Sequence, residues 1–117
     1  MSSAAAVFRR SMPTVYEVEK AVAAAAGVEV ADLQVGGTRK QRFVHARWVF
    51  WKILRDDMGF GLVKIAERSG TDHTIVLHGL GEVKRILRDT QGPGTFTRRR
   101  LIDPILRSAR ESLRRGR

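Results

Sequence analysis

Cysteine is absent from the 117-residue chain, which excludes disulfides, thiolate catalysis and cysteine-based zinc sites. Long apolar runs are also lacking, since no stretch approaches the roughly 18 residues that a membrane span requires. Near the N-terminus the apolar pair Val7-Phe8 is followed at once by Arg9 and Arg10, which is too short a stretch for the hydrophobic region of a signal peptide. No signal peptide is therefore predicted. These absences predict a soluble protein of the cytoplasm.

Positive charge, in contrast, is abundant. The chain holds 22 Lys and Arg against 12 Asp and Glu, a formal net charge of +10. More than half of this excess lies in residues 91–117, which hold 8 arginines against 2 acidic residues. Such a balance favours a polyanionic partner, because lysine and arginine neutralise phosphates and release condensed counterions. Charge alone leaves nucleic acid and an anionic membrane surface both open.

Helical signals dominate the first two thirds of the sequence. Residues 1–12 are expected to form a flexible leader, and Thr14 with Glu17 fits a capping box that begins a first helix. Gly27 is expected to end that helix. Apolar residues then leave few polar positions between Phe43 and Leu54, which predicts a long, central and most buried helix over about 41–57. A shorter helix is predicted from about Leu62 to Arg68.

The segment from Gly70 to His78 is typical of the start of a recognition helix. Gly70 suits a residue of positive φ, and Asp72 can cap the helix by accepting backbone N–H bonds. With the helix before it, this predicts a helix-turn-helix. Asp72, His73 and Thr74 would then lie at the end that enters the major groove, where such side chains can contact base edges. The alternative is that Asp72 only caps the helix and the other two are ordinary exposed residues.

The C-terminal part of the chain is predicted to be a linker and a basic tail. The segment 91–95, Gln-Gly-Pro-Gly-Thr, is typical of a linker, and Asp103 with Pro104 predicts the start of a short helix. Its arginines could contact phosphates, its apolar side could dock on a partner or an acidic lipid surface, or it could be a solubilising terminus. The interpretation favoured here is a short helix packed on the domain or on a neighbouring subunit, with its arginines available to DNA.

Other chemistry is less favoured by the pattern. His73 and His78 lie five residues apart and do not share a helix face, and no nucleophile or carboxylate cluster accompanies them or His45, so no metal or cofactor is predicted. Trp48 and Trp51 could stack on single-stranded bases, but so apolar a helix favours core packing. The Gly79-Leu80-Gly81 segment is too short to cradle a dinucleotide and is interpreted as a helix-packing segment.

One resemblance extends over residues 13–90. Leu62-Val63-Lys64-Ile65-Ala66-Glu67, followed by Thr71-Asp72-His73-Thr74-Ile75-Val76-Leu77-His78, resembles the signature of the C-terminal DNA-binding domain of the bacterial replication initiator DnaA. Val30-Ala31-Asp32-Leu33, the basic run 39–42 and Ala46-Arg47 fit the same pattern upstream. The resemblance implies an all-α helix-turn-helix domain of the DnaA C-terminal or Trp-repressor-like type, with a basic helical tail at 91–117.

That family binds duplex DnaA boxes with the helix-turn-helix in the major groove and an arginine in the minor groove. Carried over by position, the implied base contacts are Arg39, Val63, Asp72, His73 and Thr74. The implied phosphate contacts are Lys40, Arg42, Arg47, Lys64, Thr71, His78 and, through its backbone, Ile75. Val63, Thr71 and Ile75 depart from the family's usual proline, basic residue and threonine, so its usual box is not assumed as the target.

The main hypothesis is a double-stranded DNA-binding protein, not an enzyme, that occupies DnaA-box-like sites and regulates replication initiation or transcription. No phosphate-binding sequence of the form G-x-x-x-x-G-K-[ST] occurs in the chain, so no ATPase module accompanies the domain in these residues. It is expected in the cytoplasm with the nucleoid, as a monomer or weak dimer. The alternative is an adaptor that contacts replication or regulatory proteins through residues 95–117, with weak or vestigial DNA binding. Membrane association through the tail is the least favoured class.

Overall fold

The computed structural model of the protein describes residues 12–35, 41–88 and 93–116. For residues 41, 42 and 93–98 it describes only the backbone. Within these residues the chain is helical and contains no strand, which confirms the all-α prediction. The elements are α1 (Val15–Ala26), a 3₁₀ turn (Val30–Leu33), α2 (Gln41–Lys52), a π-helical turn (Ile53–Asp57), α3 (Leu62–Ser69), α4 (His73–Arg88) and α5 (Pro93–Arg115). The predicted leader, apart from Met12, lies outside the described residues.

Local capping chemistry sets both ends of α1. The Thr14 hydroxyl accepts from the backbone N–H of Glu17 at 3.1 Å, and the Thr14 N–H donates to the Glu17 carboxylate at 2.8 Å. This reciprocal pair satisfies two of the N–H groups that a helix start leaves without partners. Gly27 ends the helix in the left-handed conformation, with φ of 71°. The predicted capping box and the predicted stop are both confirmed.

The centre of the molecule is α2, as the apolar run predicted. Trp51 and Phe50 are among its largest buried side chains, and the π-helical turn continues the same core through Ile53 and Leu54. The wider turn is the one departure from the predicted single helix over 41–57. The core then extends outward to residues of every other helix, which are Val18, Val22, Ile65, Val76, Val83, Ile86, Ile102 and Leu106 among others.

The helix-turn-helix consists of α3, a three-residue turn and α4. Gly70 has φ of 70°, and its neighbour Thr71 donates its N–H back to the carbonyl of Ala66 at 3.0 Å. A left-handed residue followed by such a backward bond satisfies carbonyls at the end of α3. Since glycine adopts this conformation without strain, Gly70 permits the tight turn that the sequence predicted.

Gly79 lets α4 lie close against α2. A Cβ atom built at this position would lie 2.6 Å from atoms of both Trp48 and Trp51, whose rings are buried. Gly81, two residues later, has nothing within 4 Å of the same hypothetical atom. The predicted packing role is therefore confirmed for Gly79, whereas Gly81 lies on the exposed side of the helix.

The C-terminal helix corrects the sequence prediction. The linker expected at 91–95 is wrong for residues 93–95, and so is the short helix starting at Asp103, because the backbone is helical from Pro93 to Arg115 and Pro104 lies inside the helix. Residues 91 and 92 are outside the described part of the chain. Pro93 fits a first helical turn, where no N–H partner is needed. The tail is thus one long helix, and it packs chiefly along α1.

Burial explains why α5 accommodates an internal proline. Proline within a helix costs about 3 kcal/mol relative to alanine. Against this cost, Ile102, Leu106 and Ala109 are each at most 3% exposed, and burying one large aliphatic side chain contributes about 1.5–3 kcal/mol. Arg110 adds a bidentate ion pair, its Nε and Nη2 each 2.9 Å from an oxygen of Asp57. Tertiary packing therefore outweighs the local signal that predicted a break.

The two glycines of α4 provide a matched test of its packing. Gly79→Ala should lower the free energy of unfolding by about 1–3 kcal/mol, because its Cβ overlaps two buried rings. Gly81→Ala should raise the same quantity by up to about 1 kcal/mol, because alanine favours a helix and the space is open. Urea denaturation followed by circular dichroism measures both. Shifts of the same sign would contradict the close approach of α4 to α2.

The docking of α5 is tested by two leucines on the same helix. Leu106 is 3% exposed and Leu101 is 51% exposed. Leu106→Ala should lower the free energy of unfolding by about 2–5 kcal/mol, as burial and packing are lost. Leu101→Ala, the control, should change it by no more than about 0.5 kcal/mol. Equal effects of the two substitutions would show that α5 does not pack as described.

Candidate nucleic-acid interface

Asp72 caps α4 with a single oxygen. Its Oδ1 accepts the backbone N–H of Thr74 at 2.9 Å and that of Ile75 at 3.1 Å, as an N-cap residue does. The predicted cap is confirmed. The N–H of Ile75, which was predicted to bind a phosphate, already donates to this carboxylate, whereas the second carboxylate oxygen of Asp72 takes no part in the cap.

The first turns of α4 bring several predicted residues to one exposed end of the helix. His73 and Thr74 are exposed, His78 follows about one turn later, and Ile75 is 45% exposed despite its apolar side chain. Thr71 is half-buried in the turn before them. A helix N-terminus with short polar side chains at its surface can enter a major groove, where such side chains contact base edges.

Two further predicted residues lie at the start of α3. Val63 is 61% exposed, an unusually open position for a β-branched apolar side chain in this small domain. Lys64 is also exposed, and its Nζ lies 4.1 Å from the centre of the Phe60 ring. Both side chains are therefore exposed on α3, the helix that packs on α4.

Leu77 is an exposed residue that the sequence reasoning did not assign to this surface. It is 55% exposed and lies three positions after Thr74, so both share the outer face of α4. That spacing was the signal available in the sequence. An apolar side chain on a groove-facing helix suits contact with a thymine methyl group.

The turn between the two helices accepts hydrogen bonds from α2 and from the segment after the 3₁₀ turn. The Trp51 indole N–H donates to the Ser69 hydroxyl at 2.8 Å within the core. From the segment after the 3₁₀ turn, the Gln34 amide donates to the Arg68 carbonyl and the Val35 N–H to the Ser69 carbonyl, each at 2.9 Å. The chain that leads into the basic run is thus attached to the turn that orients α4.

Arg47 lies beneath the surface. It is 6% exposed, its Nε donates to the Asp32 carbonyl at 3.0 Å, and its buried Nη2 has no hydrogen-bond partner among the described residues. Burial lowers the pKa of Arg47 below its ordinary value, and the charge of Asp32 partly opposes this shift. A phosphate contact by Arg47 therefore remains a prediction, and in the observed position the side chain braces the 3₁₀ turn against α2.

The basic loop is not placed. Arg39 and Lys40 lie outside the described residues, as does the side chain of Arg42, whose backbone lies in the first turn of α2. The minor-groove arginine and two of the predicted phosphate contacts therefore stay predictions.

The two tryptophans and His45 of α2 lie inside the domain. Trp48 and Trp51 are at most 9% exposed, which confirms that they pack in the core, and His45 lies buried beside Trp48 with ring centres 5.5 Å apart. No group of three or more His, Asp or Glu side chains in the described ranges could hold a metal ion. None of the helices described here is both long and apolar enough to cross a bilayer.

Comparison with known proteins agrees with this geometry. The family described as bacterial dnaA protein helix-turn-helix matches residues 15–83, from α1 through most of α4. The chromosomal replication initiator protein DnaA of Thermomicrobium roseum is 40% identical over 65 residues, which cover 55% of this chain and 14% of that protein. No solved structure matches significantly. The family is a DNA-binding rather than a catalytic domain, and this chain belongs to it: it is a member of the bacterial DnaA helix-turn-helix family.

Proposed function

We propose that the protein binds double-stranded DNA at DnaA-box-like sites and regulates replication initiation or transcription by occupying them. Family membership supports DNA binding related to replication initiation. The observation that carries the proposal is the exposed N-terminal end of α4, where His73, Thr74 and His78 lie together at the surface. Residues 13–90 form the proposed DNA-binding domain, and α5 stabilises it through the shared core.

Base reading is assigned to side chains with distinct chemistry. The methyl group of Thr74 suits a thymine methyl, and the His73 imidazole can donate to or accept from a base edge. The Asp72 carboxylate oxygen that does not cap α4 can accept from a cytosine amino group. Val63 adds an apolar contact from the start of α3, and Arg39 is assigned to the minor groove. Together these contacts would read the site from both grooves.

Phosphate contacts would fix the position of the domain without reading sequence. Lys64, Thr71 and His78 are assigned to phosphates on one side of the site. Ile75 would contribute through its backbone N–H, in competition with the Asp72 carboxylate. On the other side of the site, the assigned phosphate contacts are Lys40, Arg42 and Arg47.

One observation favours a second candidate function. Val63 and Ile75, which are 61% and 45% exposed, place apolar side chains where the resembled family usually has proline and threonine. Apolar residues at such a surface can also dock a protein partner. In that case the domain would act as an adaptor of the replication or regulatory machinery, assisted by residues 95–117, with DNA binding weakened.

DNA recognition is tested by selecting duplexes from a random pool and titrating the full chain against a selected duplex, a DnaA-box duplex and a scrambled one. His73→Ala should weaken binding to the selected duplex by about 5- to 150-fold, the loss expected for one base-specific contact of about 1–3 kcal/mol. Fluorescence anisotropy at low salt measures this. Ser108→Ala, exposed on α5, is the control and should leave affinity unchanged.

Several results would overturn the DNA proposal. They are no enrichment in the selection, no binding at low salt, or equal affinity of His73→Ala and the wild type for the selected duplex. Recovery of a replication or regulatory protein through residues 95–117, together with absent sequence preference, would favour the adaptor.

The two roles of Asp72 can be separated by two substitutions. Asp72→Asn keeps an acceptor for the α4 cap, so stability should be unchanged, while base preference at one position of the selected site should change because the carboxylate is lost. Asp72→Ala removes the cap as well and should cost about 0.5–2 kcal/mol of stability. Thermal melts and repeated selection measure the two effects. An unchanged preference in Asp72→Asn would show that Asp72 only caps the helix.

A further inference from the structure

The outer face of α4 divides into two halves of different chemistry. Thr74, Leu77 and His78 occupy its N-terminal half, with neutral or weakly basic side chains. The C-terminal half carries Lys84, Arg85 and Arg88, all exposed. Gly81 separates the halves and leaves the helix backbone uncovered, since nothing lies within 4 Å of a Cβ built there.

The C-terminal half of α4 carries an excess of positive charge at the surface. The one acidic residue of α4 is Glu82, whose side chain is 25% exposed and accepts from Arg85 at 2.9 Å. Lys84 and Arg88 are therefore the main contributors of outward positive charge. Cations in a last helical turn also stabilise the helix, by about 0.3–1 kcal/mol, so charge at this end has an ordinary structural explanation that a test must separate.

The length of α4 decides what its basic half can reach. A helix rises about 1.5 Å per residue, so Lys84 and Arg88 lie about 15 Å and 21 Å along the axis from Thr74. The major groove is about 12 Å wide. A helix that lies across the groove, with its N-terminus at the near edge, spans this width in about eight residues, and its remaining turns then lie over the sugar-phosphate backbone at the far edge. The C-terminal end of a recognition helix contacts the backbone in this way in homeodomains.

We infer that Lys84 and Arg88 bind phosphates of the strand at the far edge of the major groove, as a second anchor that reads no sequence. This inference rests on the proposed function, because it places the N-terminal half of α4 in the groove. Arg85 lies between them in the sequence and donates to Glu82, so it is not assigned to the anchor. The exposed backbone at Gly81 allows α4 to approach the strand between the two halves.

The test measures how binding of the full chain to the selected duplex depends on salt. Each phosphate contact contributes about 0.9 to the slope of log affinity against log salt concentration. The double variant Lys84→Gln with Arg88→Gln should lower the steepness of that slope by about 1.8, while the affinity ratio of selected to scrambled duplex stays unchanged. Titrations from about 50 to 200 mM salt cover the range in which the effect is large.

The matched control removes the same charge elsewhere. Lys20 on α1 and Arg55 in the π-helical turn are exposed and are assigned no DNA contact, so Lys20→Gln with Arg55→Gln should keep the wild-type slope. Lys84→Arg with Arg88→Lys retains the charge and should also keep it. Where the double glutamine variant does not fold, Lys84→Gln alone should lower the slope by about 0.9. A purely structural role would change the melting temperature without changing the slope.

The outcomes separate this inference from the proposed function. A wild type that binds no duplex overturns both. A wild type whose preference depends on His73, with an unchanged slope in the Lys84 and Arg88 variant, overturns only the anchor. An equal decrease in the Lys20 and Arg55 control would show that net charge, rather than the positions of Lys84 and Arg88, sets the salt dependence, and would also overturn the anchor.

Discussion

The structure depends on the contact between the two tryptophans of α2 and the backbone of α4 at Gly79. Because this position has no side chain, the recognition helix packs on the indole rings themselves, and the rings set its distance from the core. The indole of Trp51 also donates to Ser69 in the turn before that helix. A buried donor left without a partner costs about 1–3 kcal/mol, so one side chain fixes both the depth of α4 and the point where it starts.

The same turn links the two elements proposed to contact DNA. Arg68 and Ser69 end α3. The carbonyl of Arg68 accepts from the Gln34 side chain, and the carbonyl of Ser69 accepts from the Val35 N–H. Helix ends leave carbonyls without intrahelical partners, and here the partners come from the segment that leads into the basic run. A displacement of that segment would therefore break bonds at the turn. Gln34 and Val35, which precede the basic run, and the turn before α4 are thus joined by these hydrogen bonds.

What the sequence could predict was set by short-range chemistry. The box at Thr14 and the cap at Asp72 each join residues at most three positions apart, so their patterns were legible in the chain. The continuous length of α5 could not be predicted in this way. Pro104 signals a break locally, whereas Ile102 and Leu106 are buried against helices distant in the sequence. The buried position of Arg47 likewise involves a hydrogen bond to the carbonyl of Asp32, which lies fifteen positions away. No local sequence pattern predicts that contact.

The distribution of charge along α4 bears on what kind of binding the domain performs. Where the resembled family usually has a cation at the turn, this chain has Thr71, and Ile75 replaces a hydroxyl beside the reading residues. Both changes replace polar side chains beside the residues proposed to contact bases, whereas Lys84 and Arg88 supply charge about three to four turns from Thr74. Phosphate contacts add affinity without discrimination. On the proposed footprint, affinity is therefore retained through the far strand while discrimination rests on fewer groups, chiefly His73, Thr74 and the apolar edges of Val63 and Leu77.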